Sequence, residues 1–99
     1  GVPSVEAQAC GTRVIGSSWA ATPDLISEDS FLVEGQPQWD SGQDAWWQIP
    51  NVPSIVAALE EAYKLGKGRS QTAIDFASDF DVDKVWSKYW LPILRDKFS

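Results

Sequence analysis

Gly1-Val2-Pro3-Ser4-Val5-Glu6-Ala7-Gln8-Ala9-Cys10-Gly11-Thr12-Arg13-Val14-Ile15-Gly16-Ser17 is the stretch that decides the fold. Proline is tolerated in the first turn of a helix, small residues continue it, and a glycine closes it. Residues 3–10 therefore read as a short helix that ends at Gly11. Val14-Ile15 then stands between a turn and a Gly-Ser pair, the pattern of a short buried strand of the parallel type. A helix feeding such a strand is the unit of an α/β fold.

Working outward, Thr22-Pro23-Asp24-Leu25-Ile26 reads as a helical turn with Thr22 as cap and Pro23 at its first position. Phe31-Leu32-Val33 is a second short strand. Residues 35–50 carry Gly35, Pro37, Trp39, Asp40, Gly42, Trp46, Trp47 and Pro50, and this punctuation predicts a long aromatic loop. Residues 52–98 are expected to be a helical tail. Ile55, Val56, Leu59, Ala62 and Tyr63 share one helical face, with Asn51 as cap and Gly66 and Gly68 as stop. Ala73, Phe76, Ala77 and Phe80 mark a second stripe. Asp81 can cap a third helix bearing Val82, Val85, Trp86, Tyr89, Trp90, Ile93 and Leu94, which Pro92 should kink. The expected class is α/β with two short parallel strands and a mostly helical carboxy-terminal half.

Composition bounds the chemistry. Ninety-nine residues make one domain. An apolar fraction of 43% and a charged fraction of 22% exclude wholesale disorder. The net charge is −6 without a basic cluster, so bare nucleic acid is not an expected partner. The chain has no His and one Cys, which excludes His-based triads, His-ligated zinc, an internal disulfide and a multi-Cys metal site. A lone thiol fits a reducing compartment, and the expected location is the cytoplasm, its membrane face included. The chain opens Gly-Val-Pro, so a processed chain or a piece of a longer one is expected. Two short strands do not cover these helix faces, and six Trp are a heavy load for so small a core. Part of the partner surface is therefore expected on chain that is missing.

Pro3-x-x-Glu6-Ala7-x-Ala9-x-Gly11-Thr12-x-Val14-Ile15 resembles the second half of the signature of family 4 retaining glycosyltransferases, in the GT-B superfamily. In that pattern two glutamates are separated by seven residues. Gly1 matches the glycine after the family's phenylalanine, Glu6 matches the second glutamate, and the first would precede Gly1. Downstream, Pro23-Asp24-Leu25-Ile26, the strand Phe31-Leu32-Val33, an aromatic insertion ending Trp47-x-x-Pro50 and the closing helices follow in the family's order. Arg13 stands where proline is common, and Ala20-Ala21 replaces a diglycine. The resemblance covers nearly the whole chain. It implies the carboxy-terminal part of a Rossmann-like nucleotide-sugar-binding domain, in a parent that transfers a sugar to a glycan or other acceptor with retention. It also implies that Gly1, Val2, Pro3, Glu6 and Ala7 bind the donor, with Glu6 on the ribose, and that no metal or other cofactor is used. The family's basic residues, its first glutamate and its acceptor domain lie outside these residues. No catalytic residue is therefore assigned here, and the 99-residue piece alone is expected to be inactive. The alternative is a non-catalytic protein-interaction module derived from this fold.

The residues alone carry a compatible chemistry. A helix that starts near Pro3 presents free N–H groups to a phosphate or to hydroxyls. Glu6, near its start, can accept from two neighbouring hydroxyls, or can simply favour the helix amino terminus. Cys10 reads as a small buried residue. Trp39, Trp46 and Trp47 read as packing of the loop, with sugar contact as the alternative. Trp86 and Trp90 read as packing residues. Glu60-Glu61 and Asp79, Asp81 and Asp83 read as solvated faces and caps. Aromatic surface stranded on the last helix, together with an unpaired strand edge, predicts a homo-oligomer of the fragment.

Overall fold

The computed structural model describes residues 1–98. Helix α1 spans Val2–Ala9 with proline in its first turn. Gly11, at φ +87°, closes it: Thr12 N–H donates to the Ala7 carbonyl at 3.0 Å and Gly11 N–H to the Gln8 carbonyl at 2.8 Å. This pair of hydrogen bonds around a left-handed glycine is a Schellman closure. It turns the chain into strand β1, Ile15–Ser17.

Strand β2, Phe31–Val33, runs parallel to β1 with Ile15 opposite Phe31 and Ser17 opposite Val33. A 3₁₀ turn over Thr22–Leu25 lies in the crossover. Thr22 is the first residue of that turn and not its cap. Ala21 precedes it, and no side chain caps it. The small α/β fold with short parallel strands expected from the first seventeen residues is therefore present.

Residues 35–50 are not a loop. Strands β3 (Gly35–Asp40) and β4 (Ala45–Pro50) form an antiparallel hairpin with Trp39 opposite Trp46. Proline is tolerated in β3 because a two-stranded ribbon has only edge strands. The turn closes through Asp44 at φ 53° and through Gly42 N–H, which donates to Asp40 Oδ1 at 3.0 Å. At the base, Asn51 N–H donates to the Glu34 carbonyl at 2.8 Å and Glu34 N–H to Ser54 Oγ at 2.9 Å. The hairpin is thereby bound to the start of the next helix.

Helix α2, Val52–Leu65, is capped by Asn51, whose Oδ1 accepts from Ser54 N–H at 3.0 Å, and it stops at Gly66 with φ 76°. Its apolar stripe divides. Ala58 is buried and Ile55 and Ala62 are half-buried, while Val56, Leu59 and Tyr63 face solvent. Helix α3, Gln71–Ser78, packs on α1 and buries Ala73 and Ala77. Asp81 Oδ1 accepts from Asp83 N–H at 2.9 Å and starts α4, Val82–Val85. A π turn over Trp86–Trp90 and helix α5, Leu91–Phe98, complete the tail. The disturbance expected at Pro92 takes the form of that π turn, in which Leu91 N–H reaches back to the Trp86 carbonyl. Pro92 has no N–H for the Lys88 carbonyl and its ring crowds it, and the extra residue in the turn re-registers the carbonyls.

The apolar core is Ile26, Val33, Ala58, Ala73 and Ala77. Trp86 and Trp90 do not join it; they are 48% and 57% exposed. Cys10 is exposed as well, because it sits at the carboxy-terminal cap of α1, past the face that packs on α3. The radius of gyration is 16.9 Å, against about 13 Å for a closed domain of 100 residues. No helix among the described residues is long and apolar enough to cross a membrane.

Candidate functional site

A groove of about 700 Å³ runs along α1, from Gly1 and Val2 to Ala9. Gly1, Val2 and Glu6 form one wall, and Leu25, Ile74 and Phe80 face them. The wall follows from helix geometry, since positions 2 and 6 are four apart and share a face. Gly1 caps α1 with no side-chain hydrogen bond; in the first turn Val2 and Ser4 carry N–H donors, while Pro3 has none. The Glu6 carboxylate is exposed. The other polar residues of its lining are engaged: Ser78 Oγ donates to the Asp75 carbonyl and Asp81 caps α4.

Of the five residues expected to bind a donor, Gly1, Val2 and Glu6 line this groove together. Pro3 is exposed and Ala7 half-buried, and neither is on its wall. Helical spacing is the reason: residues 3 and 7 lie about 100° round the helix from 2 and 6.

Two polar residues that sequence reasoning passed over hold the groove in shape. Gln8 is fully buried. Its Nε2 donates to the Ser4 and Leu25 carbonyls at 2.9 Å each, and its Oε1 accepts from Ser27 N–H at 2.7 Å. The amide thus fastens α1 to the segment that carries Leu25 of the opposite wall. Asp29 accepts from Ser27 Oγ at 2.6 Å, from Arg13 Nε at 3.0 Å and from Ser70 Oγ at 2.5 Å. Ser70 Oγ in turn accepts from Ala73 N–H and caps α3. Partial burial pushes the Asp29 carboxyl upward, but the Ser27 and Ser70 hydroxyls and Arg13 together outweigh it and hold it below the usual carboxylate range.

The turn after β1 carries a further feature. Ala20 has φ 53°, a left-handed conformation that L side chains seldom adopt. Among the described residues no group of three or more His, Cys, Asp or Glu is placed to hold a metal ion. Comparison with known protein families, curated proteins and solved structures finds no significant match. The class that stands is a small α/β fold with short parallel strands, a hairpin and a helical carboxy-terminal half.

Proposed function

We propose that this chain is the carboxy-terminal part of the nucleotide-sugar-binding domain of a retaining glycosyltransferase, and that the groove beside α1 receives the donor. The observation that carries the reading is the meeting of Gly1, Val2 and Glu6 on one groove wall in the first turns of α1. Free N–H groups there suit a phosphate or sugar hydroxyls, and an exposed carboxylate one turn on suits a pair of ribose hydroxyls. The left-handed Ala20 adds support, since it falls where the resemblance has glycine. The chemistry of transfer belongs to residues outside this chain, so the chain alone is inactive.

Titrating the parent protein with UDP-, GDP- and ADP-sugars tests the reading. Glu6→Gln should weaken donor binding by roughly 1.5–3 kcal/mol, the worth of a hydrogen bond to a charged group. Its thermal midpoint should hardly move, because Glu6 is exposed. An unchanged dissociation constant sinks the assignment of Glu6.

A second reading, a non-catalytic interaction module, is favoured by the exposed aromatic tail, where Trp86, Tyr89, Trp90 and Ile93 all lie about half or more in solvent. Self-association through that surface is proposed under either reading.

A further inference from the structure

A separate hollow of about 410 Å³ lies between the turn that leaves β1 and strand β4 of the hairpin. Its lining includes Ser17, Trp19, Ala20, Trp46, Trp47 and Gln48. Ser17 is the last residue of β1. The hollow therefore opens at the carboxyl end of a parallel strand, where open α/β sheets bind ligands. Trp19 Nε1–H donates to the Trp46 carbonyl at 3.2 Å and binds turn to hairpin. The ring of Trp39 stands edge-on to Trp46, with centroids 5.4 Å apart and planes at 68°. That pairing restrains the Trp46 indole while leaving the residue 58% exposed.

Two observations select the ligand. The first is a pairing deficit. Gln48 Nε2 reaches the Ser18 carbonyl at 3.5 Å, the outer limit of a hydrogen bond, and Gln48 Oε1 is buried with no partner among the described residues. An amide held this loosely, with an unpaired acceptor, can turn to meet a ligand donor at small cost. The second is charge. No Lys or Arg occurs between Arg13 and Lys64, and the hairpin carries Asp40 and Asp44. A phosphorylated or otherwise anionic ligand would find no counter-charge here. An uncharged ring with a C–H face for an indole and hydroxyl donors for an amide oxygen fits both observations.

We infer that this hollow is a subsite for an uncharged sugar ring, stacked on Trp46 and hydrogen-bonded by Gln48. The binding rests on the hollow itself. It is separate from the donor groove proposed above and does not depend on it.

The six Trp give six indole N–H resonances, which report the site directly. Maltohexaose and cellohexaose are titrated separately into the chain. Saturable shifts of Trp19 and Trp46, with Trp86 and Trp90 unmoved, are expected at a Kd on the order of 1 mM. Trp46→Ala and Gln48→Leu should each weaken binding by about tenfold or more. Gln48→Glu keeps an acceptor oxygen and should retain binding. Retained amide protection of the ladder residues 36–39 and 46–49, with an unchanged helical signal, establishes that each variant keeps the hairpin. The inference is overturned by the absence of saturable shifts with either sugar, by shifts that survive Trp46→Ala, or by a proline-rich peptide that shifts these signals where the sugars do not. Donor titration at the α1 groove separates the two claims. Donor binding without sugar binding removes this subsite alone, and sugar binding without donor binding removes the donor reading alone.

Discussion

Asp29 accepts from Arg13, Ser27 and Ser70, so one half-buried carboxylate joins the entry to β1, the approach to β2 and the cap of α3. Its folded pKa lies below the ordinary carboxylate value, which is about 3.9 for aspartate. A carboxyl with a depressed folded pKa stabilises the fold at pH above its unfolded value, and that stability is lost as pH falls through the folded value. Asp29→Asn should therefore be less stable at pH 7 by roughly 1–3 kcal/mol, with the deficit shrinking as pH drops below about 4. Urea melts from neutral to acid pH measure this, and a deficit constant across the range would mean that the charge contributes nothing. Neither Asp29 nor Gln8 was legible as a structural residue in the sequence. Gln8 finds partners 17 and 19 residues away, and Asp29 finds them 16 residues before and 41 after. Local pattern carries no trace of such distances. Glu6 was legible as a position within α1, because that helix is written in its immediate neighbours, whereas Cys10 misled, being a residue type that is usually buried but here lies past a helix end.

At the scale of elements, the helices were legible through their punctuation. Asn51 caps α2, Gly66 stops it and Asp81 caps α4, each by chemistry confined to four or five residues. The hairpin was hidden because its two faces are both wet. Trp39, Trp46 and Trp47 are all about half exposed, so the alternation that betrays a half-buried strand never develops. At the hairpin's base the strands approach closely, and a Cβ on Gly35 would run into the Ile49 carbonyl oxygen. Gly35→Ala should force the first ladder pair apart, at a cost of about 1–3 kcal/mol. Amide exchange reads this element by element. In the native chain, ladder amides of 36–39 and 46–49 should be better protected than those of the 41–44 turn. In Gly35→Ala, ladder protection should fall while α2 and α3 keep theirs. An unaltered exchange pattern would show that the ribbon absorbs the methyl.

At the scale of the whole molecule, the decisive quantities are shape and uncovered surface. The principal extents are 54 × 42 × 16 Å, a slab and not a sphere. Two helical faces remain open on it. Val52, Val56, Leu59 and Tyr63 recur at spacings of four, three and four along α2, all at least 47% exposed. On the tail, Val82, Trp86, Tyr89, Trp90 and Ile93 are each at least 48% exposed, at spacings of four, three, one and three across the π turn. The α2 spacing forms a seam that another helix can cover, and the tail presents an uncovered aromatic face. Full burial of one large side chain is worth roughly 1.5–3 kcal/mol. The five tail residues are about half exposed, so covering them offers roughly 4–8 kcal/mol per chain, and twice that in a symmetric pair, against an association cost of about 4–15 kcal/mol. The outer edge of β1, paired on one side only, gives a further site for strand addition. Charge works against assembly, because each chain carries −6, but that repulsion is screened over about 8 Å at physiological ionic strength. The chain should therefore sediment as a dimer or larger species at micromolar concentration, and raising salt should tighten the association. An interaction held by ion pairs would loosen instead. Trp86→Ser with Trp90→Ser should return it to a monomer with its helical signal intact, since neither residue belongs to the core. A clean 10.9 kDa monomer in the native sequence would mean that the tail folds back and covers its own aromatic face in solution.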